Sequence, residues 1–394
     1  NLLQMIQAEK VEWKTLGEVC QIKKGKQLNK TELKDQGLYP AYNGGKEHSG
    51  YTDNFNVEAD TIIISQGGAS AGFVNFIKVP FWANAHCYYV LPHSNIINRY
   101  LYHFLKNNER SFMDSQYGAG IPALSQSALE KVAIPIPPLE TQQKIVKILD
   151  KMTELEATLE AELSQRRRQY EYYRNALLDF DNRAGGVIAK LYPDCLKDVE
   201  WKTLGEVTLP TSNIRWRETE QTYRYIDLTS VDRETHSIGG TIEISAKNAP
   251  SRAQKLVEKN DVIFATTRPT QLRFALIDDE FSGEVASTGY CVLRAKSEEV
   301  SFGWLYHHLG SARFKNFLEE NQSGSAYPAI SDNKVKAYEI PIPPLEIQQK
   351  IVAILDQFDT LTQSISQGLP REIALRRKQY EYYREQLLNF APAA

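Results

Sequence analysis

The sequence predicts an α+β protein in which two mixed α/β domains are separated by two long antiparallel coiled-coil helices about a pseudo-twofold axis. Three observations predict it. "IPIPPLETQQKIVKILD" at 134–150 returns at 340–356 as "IPIPPLEIQQKIVAILD", changed only at Thr141/Ile347 and Lys147/Ala353. "VEWKTLGEV" at 11–19 returns unchanged at 199–207, and "QYEYYR" at 169–174 returns at 379–384. Each proline motif opens a stretch whose apolar residues recur at spacings of three, four and seven, the pattern of a helical seam. Two copies of a long unit point to a pseudo-twofold molecule, since a solenoid needs several short repeats.

Taken in order, the frame divides into a first domain over 1–135, a long helix over 136–180, a linker over 181–198, a second domain over 199–341 and a second long helix over 342–394. In the first domain "DTIIIS", "FVNFIKV" and "CYYVLP" read as short strands, and "NRYLYHFLKNNERSFM" reads as helix. In "IPIPPLE" the prolines block helix until Pro138, whose fixed φ suits a first turn. Beyond it, Ile145, Leu149, Met152, Leu159, Leu163, Tyr170, Tyr173, Leu177 and Phe180 form the seam, interrupted by Glu156 and Arg166. A helix this long needs a partner helix. "DNRAGGVIAKLYPD" has a linker's composition. The second domain supplies the strands "DVIFATT", "FALIDD" and "GYCVLRA", and the second helix a matching seam of Ile351, Leu355, Phe358, Ile365, Leu369, Tyr380, Tyr383, Leu387 and Phe390.

The offset between copies grows from 188 to 206 and then to 210, so the second copy gains 18 residues within its domain and four within its helix. The four are expected to act as a stutter that keeps the seam facing its partner. "GLP" at 368–370 is expected to kink or break that helix.

Composition limits the function. With 42% hydrophobic and 24% charged residues the chain reads as a soluble globular protein. No apolar run approaches membrane-spanning length and no signal-peptide pattern opens the sequence, so a cytoplasmic location is expected. Cys20, Cys87, Cys195 and Cys291 are scattered without CxxC pairs, which speaks against a disulfide framework or zinc finger. The seven histidines lack metal-ligand spacing, and the adjacent His307 and His308 read as ordinary structural residues. Net charge is −3, yet "KKGKQLNKTELK" and "RRRQYEYYR" are basic while 149–163 is acidic, a distribution suited to binding nucleic acid and protein together.

Paired "WKTLGE" openings at Trp13 and Trp201, twin "IPIPPLE(T/I)QQKIV" motifs and "YEYYR" late in each helix resemble the specificity subunit of Type I restriction–modification systems over essentially the whole chain. The resemblance implies that each domain is a target-recognition domain reading one half of a split double-stranded DNA site. It also implies that the helices set the gap and dock two modification subunits, in a complex completed by restriction subunits. "GLP" departs from it and bears on the continuity of the second helix. Because the domain fillings differ, the half-sites are expected to differ.

No catalytic machinery is legible. "PD" at 193–194 with "EWK" at 200–202 imitates a two-carboxylate nuclease pattern, but the first copy has no matching Pro-Asp. There is neither a GxxxxGK[ST] loop for ATP nor an Asn/Asp-Pro-Pro-Tyr turn for an extruded adenine, and no cofactor or metal site is expected. The rival functions are a stand-alone DNA methyltransferase or nuclease, and a coiled-coil interaction protein. For DNA contact, Lys23, Lys24 and Lys26 suit phosphates. Asn43, Gln66 and Ser70 sit in Gly-rich loops that suit bases. In the second domain, aligning "TTRPTQLRF" (266–274) with "SQGGASAGF" (65–73) selects Arg268, Gln271 and Arg273, paired with Gly67, Ser70 and Gly72; "SNIRWRE" adds Arg215 and Arg217. For the helix seam and partner contact, Met152, Leu159, Tyr170, Ile351, Phe358 and Tyr380 are the candidates.

Overall fold

The computed structural model describes residues 9, 11–114, 123–181, 186–196, 199–364 and 366–390. It divides into two units, one made of 1–157 with 375–394 and the other of 158–374.

In the first unit the two repeated motifs pair with each other. Strand Glu12–Thr15 lies antiparallel to Ala133–Ile136, with Trp13 opposite Pro135. A two-stranded ribbon has a free edge for a proline that lacks an N–H. The end of "WKTLGE" is a capping box: the Thr15 N–H donates to Glu18 Oε2 at 2.7 Å, and the Thr203 N–H to Glu206 Oε2 at 2.8 Å in the second unit. Strands Cys20–Lys24, Cys87–Pro92, Thr61–Ser65 and Val74–Ile77 form one antiparallel sheet in that order. Gly50–Thr52, Tyr39–Tyr42 and Trp82–Ala83 form another. The expected helix over "NRYLYHFLKNNERSFM" is two, Asn98–Asn107 and Glu109–Asp114.

The second unit repeats the plan. Glu200–Thr203 pairs with Glu339–Ile342. Thr208–Leu209, Tyr290–Ala295, Val262–Ala265 and Phe274–Leu276 form one sheet. Ile242–Ile244, Tyr223–Ile226, Val285–Ser287 and Ala253–Leu256 form the other, one strand wider than in the first unit. Part of the segment read as a linker is the short helix Val187–Leu191, whose Ile188 is buried in this unit's core.

Three helices realise the seam: α1 (Leu139–Leu177), α2 (Leu345–Gln363) and α3 (Gly368–Leu388). The repeated glutamine at their start fastens helix to domain. Gln142, fully buried, accepts from the Ile97 N–H at 2.8 Å and donates to the Pro137 carbonyl at 2.9 Å. Gln348 does the same with the Ser301 N–H at 3.0 Å and the Pro343 carbonyl at 2.9 Å.

The four extra residues do not form a stutter. Gln363 corresponds to Ala157 and Gly368 to Thr158, and Ser364, Ser366 and Gln367 lie outside the helices, between the end of α2 and the start of α3. The chain leaves the helix at Ser364 and restarts at Gly368, whose φ of +71° few other residues adopt. The expected break is therefore present, just before 368–370, and Pro370 sits in the first turn of the new helix, where its missing N–H costs nothing. The expected seam residue Ile365 lies outside the described residues.

The apolar stripe also serves more than a coiled coil. Ile145 and Leu149 of α1 join Tyr100, Leu101 and Leu105 in the first unit's core, and Tyr380, Leu387 and Leu388 of α3 enter the same core; Met152 packs against it. In the second unit Ile351 and Leu355 of α2 join Trp304 and Leu305, together with Tyr170 and Leu177 of α1. Ile351 thus faces a domain rather than a helix-only seam. Helix-on-helix packing is carried by Leu159 and Leu163 against Leu361, Leu369 and Ile373, and by Tyr170 stacked on Phe358 at 6.2 Å. Positions rise along α1 as they fall along α2 and α3, so the pairing is antiparallel.

Candidate nucleic-acid interface

In the first unit, loops far apart in sequence meet at residues 83–87. Lys24 pairs with Tyr88 across the sheet. The Gly25 N–H donates to the Cys87 carbonyl and the Lys26 N–H to the Ala83 carbonyl, both at 2.9 Å. A Cβ on Gly25 would lie 2.2 Å from the Asn84 carbonyl oxygen, so glycine is required for this approach. The Gly44 N–H donates to Cys87 Sγ at 3.1 Å and the Gln66 N–H to the His86 carbonyl at 2.9 Å. Lys24, Lys26, Asn43 and Gln66 are thereby brought to one end of the sheet; Lys23, Lys24, Lys26 and Asn43 are exposed, and Gln66 and Ser70 half-buried. The loops touch at Phe73, with Lys46 Nζ 5.6 Å and Lys106 Nζ 4.2 Å from its ring centre. Burial pushes the Cys87 thiol up to about 11, so it acts as an apolar anchor and not a nucleophile.

Backbone pairing sets the correspondence between units one residue away from the sequence alignment. The Gln66 N–H donates to His86 O as the Thr266 N–H does to Gly289 O, and the Leu124 and Ile330 N–H groups donate to Gln66 O and Thr266 O. Gly68 (φ +78°) therefore matches Arg268 (φ +50°), and Gly72 (φ +89°) matches Leu272 (φ +49°). Arg268 replaces Gly68, not Gly67; Gln271 answers to Ala71 and Arg273 to Phe73. The slip arose because arginine and leucine stand where glycine normally marks a left-handed turn.

Arg268 and Gln271 are exposed, and Arg268 lies 5.7 Å from the ring centre of Tyr327, itself 74% exposed. The half-buried Arg273 donates from Nη1 to the Leu228 carbonyl, an engagement that braces a neighbouring loop. Arg215 and Arg217 are exposed on a segment held by Trp216, whose Nε1–H donates to the Ala253 carbonyl at 2.8 Å. Arg215 also pairs with Glu218 at 3.3 Å.

Residues 8–165 and 197–375 match the Type I restriction modification DNA specificity domain. The chain belongs to that family. A Haemophilus influenzae protein named as a type I restriction enzyme specificity subunit is 31% identical over 99% of this chain and 98% of its own length. A type I restriction enzyme specificity subunit of Escherichia coli is 28% identical over 99% of this chain and 96% of its own length. A solved structure of a Type-I restriction-modification system S subunit from M. genitalium covers 98% of each chain with a TM-score of 0.64 at 18% identity, which shows a shared fold.

Two features of this specificity-family chain went unread in its sequence. His86 is exposed beside Gln66, but a lone histidine carries no pattern. The duplicated tyrosines, by contrast, could have been matched to a duplicated histidine. In the first unit Tyr380 Oη lies 3.1 Å from His103 Nδ1, and His103 Nε2 lies 2.8 Å from Asp150 Oδ1. In the second, Tyr170 Oη lies 3.1 Å from His307 Nδ1, and His307 Nε2 lies 2.7 Å from Asp356 Oδ1. Arg174 and Arg384 each cover their tyrosine ring at 5.0 Å. His308 packs on Trp304 at 4.9 Å, and burial holds its imidazole down to about 3.

Among the described residues no three His, Cys, Asp or Glu side chains are grouped to hold a metal, and no helix is long and apolar enough to cross a membrane. Lys202 of the nuclease-like pattern is paired with Glu299 at 2.9 Å and Glu200 at 3.4 Å.

Proposed function

We propose that this chain is the non-catalytic DNA-reading subunit of a Type I restriction–modification complex. Each unit reads one half of an asymmetric bipartite site, and the long helices set the gap. Two modification subunits and the restriction subunits supply methyl transfer and cleavage. The observation that carries this reading is the convergence of Lys24, Lys26, Asn43 and Gln66 on residues 83–87, answered by Arg268 and Gln271 on the equivalent turn of the other unit. Lysines on the rim contact phosphates and give affinity. Asparagine and glutamine match adenine edges, and arginine matches guanine. The differing side chains on equivalent turns account for two different half-sites. On the helices, Tyr172 (63% exposed) and Tyr382 (55% exposed) present the same side chain from each copy, which suits docking of two identical partners.

Methylation mapping of the assembled complex tests the reading. Exchange of 65–73 should alter one half-site and exchange of 266–274 the other. A swap that alters both halves, or a chain that methylates DNA alone, overturns it.

A further inference from the structure

Topology assigns the second unit a DNA-facing loop that its sequence does not advertise. In the first unit Tyr39–Tyr42 lies antiparallel to Gly50–Thr52 and parallel to Trp82–Ala83. In the second, Tyr223–Ile226 lies antiparallel to Ile242–Ile244 and parallel to Val285–Ser287. The connector 43–49, which carries Asn43 and Gly44, therefore corresponds to 227–241, which is eight residues longer. The loop-to-loop contact is also shared. Lys46 of the first connector lies over Phe73, and Arg273, at the position of Phe73, donates to Leu228 of the second connector.

The longer connector is built rather than loose. Val231 bridges Ile238, the Gly239 N–H donates to the Ser230 carbonyl at 2.8 Å, and Val231 is buried in a core cluster. His236 stacks on Phe274 at 3.9 Å. The two carboxylates flanking Arg233 are engaged. Asp232 Oδ1 accepts from the Glu234 and Thr235 N–H groups at 2.8 Å, and Glu234 pairs with Arg167 at 3.4 Å. Arg233 stays exposed. A cavity of about 460 Å³ opens here between Thr229, Asp232, Arg233, Ser237, Gly239, Gly240 and Arg273, with the Asp232 carboxylate turned to its own loop's N–H groups. A Cβ on Gly239 or Gly240 would meet nothing within 4 Å, so bare backbone faces the opening.

We infer that this cavity takes a backbone phosphate of the DNA at the second unit's half-site, with Arg233 as its cation and the hydroxyls and glycine backbone as its floor. The inference rests on the DNA-reading function proposed above. One charged phosphate contact contributes about 0.9 to the salt slope of binding to duplex DNA and carries no sequence information.

The test measures binding of the full chain in its assembled complex to its methylated-site sequence across a salt series. Arg233→Ala should lower the slope of log affinity against log salt by about 0.9 and weaken binding several-fold at low salt, with half-site preferences unchanged. Gly239→Asp, at a position of ordinary φ with open space, places a carboxylate in the cavity and should weaken binding further while thermal stability is kept. An unchanged slope in both folded variants overturns the phosphate site. A changed base preference at the second half-site overturns it too, because Arg233 would then read a base. Arg268→Ala is the parallel control. If it also leaves binding untouched, or the wild-type complex does not bind, the DNA-reading function itself fails.

Discussion

Tyr380 Oη sits 3.1 Å from His103 Nδ1 although 277 positions separate them, and Tyr170 Oη sits at the same 3.1 Å from His307 Nδ1 across 137 positions. In each unit the "YEYYR" of one helix thus completes a hydrogen-bonded cluster with a buried histidine of the domain and an aspartate of another of the three helices. Removing the hydroxyl leaves a buried imidazole nitrogen without a partner, which typically costs about 1–3 kcal/mol. Tyr380→Phe should therefore lower stability by that order, and Tyr170→Phe by more, because the Tyr170 hydroxyl also lies 3.1 Å from Asp359 Oδ1. Thermal unfolding of both variants checks this, and a Tyr170→Phe chain as stable as wild type would contradict it.

Asp359 makes the two clusters differ. Thr153 stands at the matching position of the first helix. There His103 can be neutral, donating from Nε2 to Asp150 and accepting from Tyr380. In the second unit the one hydroxyl proton of Tyr170 faces both His307 Nδ1 and Asp359 Oδ1 and can be given to only one of them. Burial raises the Asp359 carboxyl above its ordinary range. A raised carboxyl binds more protons folded than unfolded, so its stabilising contribution is complete below the unfolded value of about 3.9 and is lost as pH rises through the folded value. Asp359→Asn should remove that loss. Its stability gain over wild type should grow from pH 4 to pH 7, and a constant difference across that range would sink the argument.

Asp150 has the opposite sign. Burial pushes its carboxyl up, but hydrogen bonds from His103 and Arg99 outweigh this and hold it at about 2. Its contribution is present above about pH 4 and is lost as pH falls through about 2. Asp150→Asn should flatten the acid limb of unfolding between those values while leaving the neutral-pH response to Asp359→Asn unchanged. A variant with an unaltered acid limb would count against it.

Arg268 tests whether the strained turn serves recognition. A non-glycine residue in the left-handed region costs about 1 kcal/mol or more, and Gly68 makes the equivalent turn without that cost. Arg268→Gly should keep stability or raise it by up to about 1 kcal/mol. It should also relax discrimination at one base of the second half-site by about 1–3 kcal/mol. Differential scanning and binding to a panel of half-site variants check both arms. Loss of stability together with loss of binding would identify the arginine as structural instead.

The sequence made the duplicated frame legible because its motifs are identical where both copies need the same local chemistry, as in the Thr15–Glu18 box and the Gln142 and Gln348 staples. Strands such as Thr61–Ser65 and Tyr290–Ala295 were legible from continuous apolar runs. What stayed hidden depends on which distant segments meet. The pairing of Trp13 with Pro135, the entry of Tyr380 into the first unit's core and the convergence of 23–26, 43–44 and 66 on 83–87 are non-local facts with no periodicity to betray them. Arg268 and Leu272 hid the loop register because they occupy a conformation that normally calls for glycine. The helix seam was legible as a stripe but not in its partners, since a domain core and a second helix impose the same spacing on α1.

The continuity of α1 and the interruption between α2 and α3 make the gap in the DNA site testable. Insertion of four helix-forming residues between Ser164 and Gln165 lengthens α1 by about 6 Å and turns it by about 400°, returning the seam to within about 40° of its old face. Ser364, Ser366 and Gln367 lie outside the helices, so the interruption between α2 and α3 can take up the change without breaking a helical hydrogen-bond ladder. The added length is close to two base pairs at about 3.4 Å each, and helix tilt reduces it toward one. The variant should methylate the same two half-sites across a gap one or two base pairs wider. The domains that read the bases are untouched by the insertion, so a changed half-site, or an unchanged gap in a folded variant, refutes the role of α1 as the ruler.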